Sequence, residues 1–219
     1  MSQDLNLPLL NTKSQKLYRV SPLKNYLVQQ IDNSQTIRRL TRYLTTTPLM
    51  NRGLMYDGKR LTQPDLQDSL LKPVTTDTQA SITKEVLIPY PFNEETIYEQ
   101  QISLYVYSPR TSFPAPRLHS LNEELGRHHF YIDIVYPMVY DAIEPFGQER
   151  SLLIACEILN LFDQVYVNEE LEAVVGRCQF VVNGDITSLR LSKTGYMVTT
   201  IPLMVIAPTE RLNQEQLER

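Results

Sequence analysis

Two acidic residues are the first candidates for chemistry. Asp133 lies within the apolar run 131–135, and Glu157 lies further along the chain in the segment 149–162. Many metal-dependent nucleases hold their metal with acids on a strand and a nearby element. No lysine is placed to assist, however, and simple alternation explains a polar residue between two buried isoleucines. We therefore expect Asp133 on the solvent face, and a nuclease-like enzyme using Asp133 and Glu157 is the less favoured alternative.

Histidine and cysteine offer little more. The chain has three histidines, His119, His128 and His129, and the last two would point to opposite faces of one strand. The two cysteines, Cys156 and Cys178, do not form a C-x-x-C pair, so we expect two buried free thiols and no zinc site. No histidine pair or cysteine pair is therefore a good metal ligand set.

Known catalytic motifs are also missing. The sequence contains no G-x-x-x-x-G-K-[ST], G-x-G-x-x-G, G-x-S-x-G or H-E-x-x-H. Its seven glycines in 219 residues disfavour a loop that cradles phosphate, because such loops need close backbone approach and positive φ. The sequence predicts no catalytic, cofactor-binding or metal-binding residue. We therefore expect that the protein is not an enzyme.

The elements around these residues are clearest between residues 127 and 162. Residues 128–137 alternate as a strand with one buried face, and Pro137 ends it. Residues 149–162 change to the helical period. The buried positions are Phe130, Ile132, Ile134 and Tyr136 in the strand, and Ile154, Ile158, Leu161 and Phe162 in the helix.

Two further helices are predicted near the N-terminus. The first starts at Ser21-Pro22, and the second is capped by Asp32 with Gln35 three residues on. Their apolar stripes are Leu23, Tyr26, Leu27 and Ile31, then Ile37, Leu40, Tyr43 and Leu44. Arg38, Arg39 and Arg42 are expected on a solvated face, with phosphate or an acidic partner as the alternative. Residues 1–20 are read as an arm, with scattered leucines, and residues 45–81 as an irregular connector.

The remaining strands come after residue 84. Pro89 and Pro91 confine the segment 85–92 to an edge or an irregular run, and residues 99–107 alternate cleanly. Residues 163–172 are read as a connector and residues 176–182 as a strand. Asn183-Gly184 predicts a turn. Residues 196–207 form a last strand, which Pro202 makes bulged or places at an edge. We expect an α+β fold: a mostly antiparallel sheet of about four to five strands with one helix packed on it, preceded by an N-terminal helical region. The expected boundaries are 1–84, a core at 85–208 and a charged tail at 209–219.

Composition narrows the function classes. The formal net charge is −4, which disfavours a non-specific nucleic-acid binder. Residues 1–10 lack a signal peptide's basic start, and no apolar run is long enough to span a bilayer. The thirteen tyrosines suit either half-buried strand edges or a protein interface. We expect a protein made and used in a reducing cytoplasm, or in a particle assembled there.

The order of these elements resembles the neck and tail-completion proteins of tailed bacteriophages, and most closely the tail-terminator group. The resemblance rests on the Pro89–Phe92 segment, the strand at 99–107, the strand at 130–136, the helix at 151–162 and the closing strands. It covers residues 85–207 and is one of element order, without a sharp motif. Residues 1–84 depart from the compact members of the group, which leaves open a head-closure (stopper) protein or another neck ring.

The resemblance implies an α+β subunit of a virion, which assembles with copies of itself into a ring, commonly a hexamer, at the head–tail junction. Its implied partners are the tail tube protein and the head connector, with DNA passing through the lumen without specific binding. It implies no catalytic residues, no cofactor and no membrane partner.

Overall fold

The described part of the chain consists of separate stretches. The computed structural model describes residues 20–44, 48–49, 55–56, 59–60, 66–71, 85–92, 101–112, 127–143, 148–175, 177–191 and 195–206. Predictions that concern His119, the two terminal segments and most of the connector between 45 and 84 lie outside these residues.

The described residues form an α+β fold with an N-terminal helical region, as predicted. Its four helices are α1 (Val20–Asn33), α2 (Gln35–Arg42), α3 (Arg150–Phe162) and α4 (Glu169–Val175). A 3₁₀ turn covers Met138–Tyr140. The strands are β1 (Met55–Tyr56), β2 (Lys59–Arg60), β3 (Leu87–Ile88), β4 (Ser103–Ser112), β5 (Arg127–Pro137), β6 (Ala142–Ile143), β7 (Gln148–Glu149), β8 (Val165–Tyr166), β9 (Gln179–Val182), β10 (Thr187–Arg190) and β11 (Tyr196–Ile206).

The main sheet is mixed and has seven strands, so the expectation of a mostly antiparallel sheet of four to five strands was wrong. Its order is β3-β4-β5-β11-β9-β8, and β10 also pairs with β11. The parallel pair is β3 with β4. The parallel pairing was missed because β3 is only two residues long. Strand β3 does lie at a sheet edge, as Pro89 and Pro91 indicated. Strand β8, also two residues, is too short to show a period.

All four helices pack on one face of this sheet and share a single apolar core with it. The stripes predicted for α1 and α3 are confirmed, whereas the stripe predicted for α2 holds for Ile37 and Leu40 only, because the helix ends at Arg42 and Tyr43 and Leu44 lie half-buried beyond it. Helix α4, which lies in and beyond the segment read as a connector, adds Leu171 and Val175. The core residues of β5 and β11 are Phe130, Ile132, Ile134, Ile201, Leu203 and Val205. Each fully buried leucine or isoleucine stabilises the fold by about 2 kcal/mol. The helices before residue 45 are therefore part of the same packed unit as the sheet.

Pro202 lies in a central strand, contrary to the expectation of a bulge or an edge. Strand β11 pairs with β10 up to Thr200 and with β9 from Leu203 onward. Asn183 N donates to Pro202 O at 3.1 Å, so the backbone of Pro202 faces this junction. The missing N–H thus falls where β11 changes partners. Asn183 and Gly184 connect β9 to β10 at the same level, and Gly184 has φ +125° there.

The cap of α2 is Ser34 and not Asp32. Helix α1 continues to Asn33, which places Asp32 in its last turn, where its carboxylate accepts from Ser69 Oγ and Leu70 N at 2.8 and 2.5 Å. Ser34 Oγ accepts from Ile37 N at 3.3 Å and donates to Glu157 Oε1 of α3 at 2.7 Å. One hydroxyl therefore caps α2 and joins it to α3.

A buried arginine fastens the N-terminal helices to the rest of the fold. Arg150, the first residue of α3, is 1% exposed. Its Nη1 donates to Leu40 O and Tyr43 O at the end of α2, at 2.6 and 2.7 Å, and its Nε donates to Tyr140 O at 2.6 Å. Burial lowers the pKa of Arg150 to about 10, an effect that nearby Asp141 opposes. The side chain remains a cation at neutral pH and matches the negative end of the α2 dipole.

Replacing Arg150 with methionine should lower the free energy of unfolding by about 3 kcal/mol. The substitution keeps the apolar stem but leaves buried carbonyls of Leu40, Tyr43 and Tyr140 without their donor. Urea unfolding followed by circular dichroism measures the change. Arg177→Met is the matched control, because Arg177 is exposed and rests on the Tyr166 ring. An equal loss in both variants would contradict this role for Arg150.

Candidate functional site

The two acids considered for metal binding lie on opposite sides of the sheet. Ile132 and Ile134 of β5 point into the core beneath α3, so Asp133 between them faces the other side. Glu157 belongs to α3 and is held by Ser34. In the described part of the chain, no three histidine, cysteine, aspartate or glutamate side chains come together as a metal site requires. The arrangement gives a metal-dependent nuclease no shared site at these two residues.

Asp133 alternates with the isoleucines as expected, but it is buried and not on a solvent face. It is 4% exposed and lies in a second, smaller packed layer with Tyr105 and Val135. Thr200 Oγ1 and Tyr107 Oη donate to its two carboxylate oxygens at 2.7 and 3.0 Å. Burial raises the pKa of Asp133 and these hydrogen bonds oppose the rise. Burial and the neighbouring carboxylate together raise the pKa of Tyr107. This network joins β4, β5 and β11.

The raised pKa of Asp133 makes a stability prediction with a defined sign. The folded state binds this proton more tightly than the unfolded state, so the stability contributed by the protonated carboxyl is present below the unfolded pKa of about 3.9 and is lost as pH rises through the folded pKa. Asp133→Asn should remove this pH dependence and gain stability relative to the native chain as pH rises. Unfolding free energies of both proteins from about pH 4 to about pH 8 test this. A constant difference across that range would contradict the prediction.

The arginines of α2 are internal, contrary to the expectation of a solvated face. Arg38 donates to the carbonyls of Asp32, Leu66 and Gln67, and Arg42 donates to Ser69 O at 3.1 Å. Arg39 is buried as well. Arg38 and Arg42 fasten the segment 66–71 to the helix pair, and the three arginines do not present a surface for phosphate.

The histidines and cysteines are placed as follows. His128 is buried and His129 is half-buried, on opposite faces of β5 as predicted. Cys178 is buried and its thiol donates to Val175 O at 3.7 Å. Cys156 is exposed, so the expectation for it was wrong: its position on α3 points away from the stripe of Ile154 and Ile158.

The clearest candidate surface is the outer edge of β10. All four of its residues are exposed, and within the described residues β10 pairs only with β11. Leu189 is 62% exposed, and Ile186 just before the strand is exposed too. Edge strands usually avoid unprotected apolar residues because they invite pairing with another chain. This edge has no proline and no lysine of its own, and its one charged residue is Arg190 at the end of the strand.

An exposed apolar turn lies beside the end of the same hairpin. Met138 N donates to Gly195 O at 2.8 Å, which sets the 138–140 turn against the connection from β10 to β11. Val139 is 78% exposed and Met138 is about half exposed. With Pro137, Tyr140, Gly195 and Tyr196 they line an open depression of about 510 Å³. We call β10, Ile186 and the 138–140 turn together the β10 surface.

Local patterns in the sequence indicate this surface only weakly. Ile186 and Leu189 stand after a turn signal in a segment without a long alternating pattern, so β10 was not predicted as a strand. Met138-Val139 directly follows Pro137, where the strand was expected to end, but nothing local indicates exposure. The helical period predicts that Arg150 lies at the start of its helix. It does not predict the acceptors, because Tyr43 and Leu40 precede Arg150 by 107 and 110 positions in the sequence.

Comparison with known proteins adds little. No protein-family model matches this chain, and no curated protein matches it significantly. One solved structure aligns with 56% of this chain and 79% of its own length, at 14% sequence identity and a TM-score of 0.35. At that score the likeness carries no argument. None of the described helices is both long enough and apolar enough to cross a membrane.

Proposed function

We propose that this protein is a structural subunit of a tailed-phage virion. It forms a homo-oligomeric ring at the head–tail junction, caps the tail tube and joins it to the head connector, as a tail terminator does. The observation that carries the proposal is the β10 surface, an open strand edge with exposed apolar residues beside it. Such an edge is typical of a subunit that completes its surface by association.

The geometry of the sheet supports association into a ring. A ring forms when one surface of each subunit docks on a different surface of the next and the rotation closes. The β3 edge is two residues long and is followed by Pro89 and Pro91, which disfavours pairing, whereas β10 has no strand on its outer side among the described residues. The β3 edge and the β10 edge are different surfaces of the subunit, as a head-to-tail contact requires.

The order of elements supports the choice of family. A short edge segment, two long paired strands, the helix α3 and closing strands follow one another along the chain in the order that the resemblance to the tail-terminator group implies, whereas α1, α2 and α4 are additional to that order. A subunit with a net charge of −4 would let DNA pass through a ring without gripping it.

Electron microscopy of particles from a phage that lacks this gene tests the proposal. Overlong or ragged free tails beside filled, unattached heads are the expected result for a terminator. Free tails of normal length beside empty heads would assign the head-closure role to the same ring. Intact, infectious particles would contradict a neck function.

A pair of point variants connects this result to the β10 surface. Leu189→Lys should reproduce the deletion phenotype, because it puts a charge at the docking edge. Leu152→Lys is the matched control, since Leu152 is similarly exposed but lies on α3. Equal phenotypes for the two variants would contradict a role of the β10 surface in assembly.

A further inference from the structure

The connection between β9 and β10 contains the single Asn-Gly pair of the sequence, Asn183-Gly184. Both residues are exposed, and Gly184 has φ +125°, a conformation that favours glycine. Asn183 N donates to Pro202 O at 3.1 Å, whereas no described residue holds the Asn183 side-chain amide or Gly184 N by a hydrogen bond. The described structure therefore leaves these two neighbouring groups unrestrained.

The side-chain amide of Asn183 and the backbone nitrogen of Gly184 can react with each other. The nitrogen attacks Cγ of Asn183 and closes a five-membered imide; the Cγ–Nδ2 bond breaks, and Nδ2 leaves as ammonia with the amide proton of Gly184. Glycine permits this attack because it has no Cβ to block its nitrogen. Water then opens the ring. Opening at Cγ gives aspartate, and opening at the main-chain carbonyl gives isoaspartate, in which the chain runs through Cβ and Cγ.

The connection between β9 and β10 is short and lies close against β11. Strand β9 ends at Val182 and β10 begins at Thr187, so residues 183–186 join them. A Cβ at position 184 would lie 3.4 Å from Cγ of Pro202, so Gly184 packs on that ring. Isoaspartate adds one carbon to the main chain at this point and converts the carbonyl of residue 183 into a carboxylate. The turn that sets the start of β10 on β11 is therefore altered.

We propose that Asn183 is a site of spontaneous deamidation in the folded protein, and that the isoaspartate formed there releases β10 from β11. Among the described residues, β11 is the one strand that pairs with β10, and all four residues of β10 are exposed. Little therefore holds β10 in register once its connection is lengthened. The aspartate product keeps the original chain path and leaves β10 in place. The reaction needs water alone and does not depend on the proposed ring.

Ageing the folded, full-length protein at mildly alkaline pH in heavy-oxygen water tests the chemistry. Alkali accelerates the reaction because the nucleophile is the deprotonated backbone amide. The tryptic peptide 178–190 has Asn183 as its one asparagine and should gain the heavy oxygen in separate aspartate and isoaspartate products. Conversion should be at least about tenfold faster than at Asn168, which is also exposed but precedes Glu169 and accepts from Leu171 N at 3.1 Å.

Two controls make the outcome of this ageing experiment decisive. Asn183→Gln keeps a side-chain amide but would need a six-membered ring, so its peptide should stay unmodified through the same incubation. The native chain unfolded in urea shows the reaction without the fold. An Asn183 that stays intact in the folded protein and converts only in urea would overturn the proposal.

Hydrogen exchange of the aged protein tests the effect on β10. Leu191 N donates to Tyr196 O at 3.0 Å, and Leu189 lies opposite Val198 in the same ladder, so both amides should be protected in fresh protein. Molecules with isoaspartate should exchange these amides at least about tenfold faster. Asn183→Asp is the matched control, because it has the same charge on an unaltered chain and should keep the native protection. Equal protection in the isoaspartate form and in Asn183→Asp would overturn the release of β10.

Discussion

The hydrogen bonds of the Arg150 guanidinium hold three separate parts of this molecule together. The end of α2, the 138–140 turn and the first residue of α3 meet at this one cation. Asp141 completes the junction: its Oδ1 accepts from Ser151 N at 2.8 Å and so caps α3, whose own N-cap residue Glu149 makes no side-chain cap bond. A buried cation is costly unless its donors are satisfied, and here backbone carbonyls at a helix C-terminus satisfy them.

This junction connects stability to the candidate surface. The same turn that gives Tyr140 O to Arg150 also exposes Met138 and Val139 beside the β10 hairpin. Displacing the guanidinium would loosen α2 and shift the turn together. On the opposite side of the sheet, Asp133 joins three strands through Tyr107 and Thr200. Asp133 lies in the middle of β5 and Arg150 lies beside the turn that follows its end, and among the described residues β10 pairs with no strand on its outer side.

The periodicity of long elements predicted much of the fold. The stripes of α1, α2 and α3 and the alternation of β5 are local properties, so residues such as Ile132, Ile154 and Leu27 could be placed in the core from sequence. Short elements, and contacts between parts of the chain that are far apart in sequence, could not be predicted in this way. Strands β3 and β8 have no period to detect, and Pro202 is tolerated in a central strand only because β11 changes partners there. The arginines of α2 looked like a solvated face because their acceptors, at residues 66–69, come from an irregular segment far along the chain. The β10 surface likewise depends on which neighbours a strand lacks, which no local pattern records.

We propose that this chain associates with copies of itself into a ring. The most direct test is sedimentation velocity of the full-length protein over a range of concentrations, followed by native mass spectrometry of the main species. The account predicts one closed oligomer of defined size, in equilibrium with monomer at low concentration. A chain that remains a compact monomer at every concentration would contradict it.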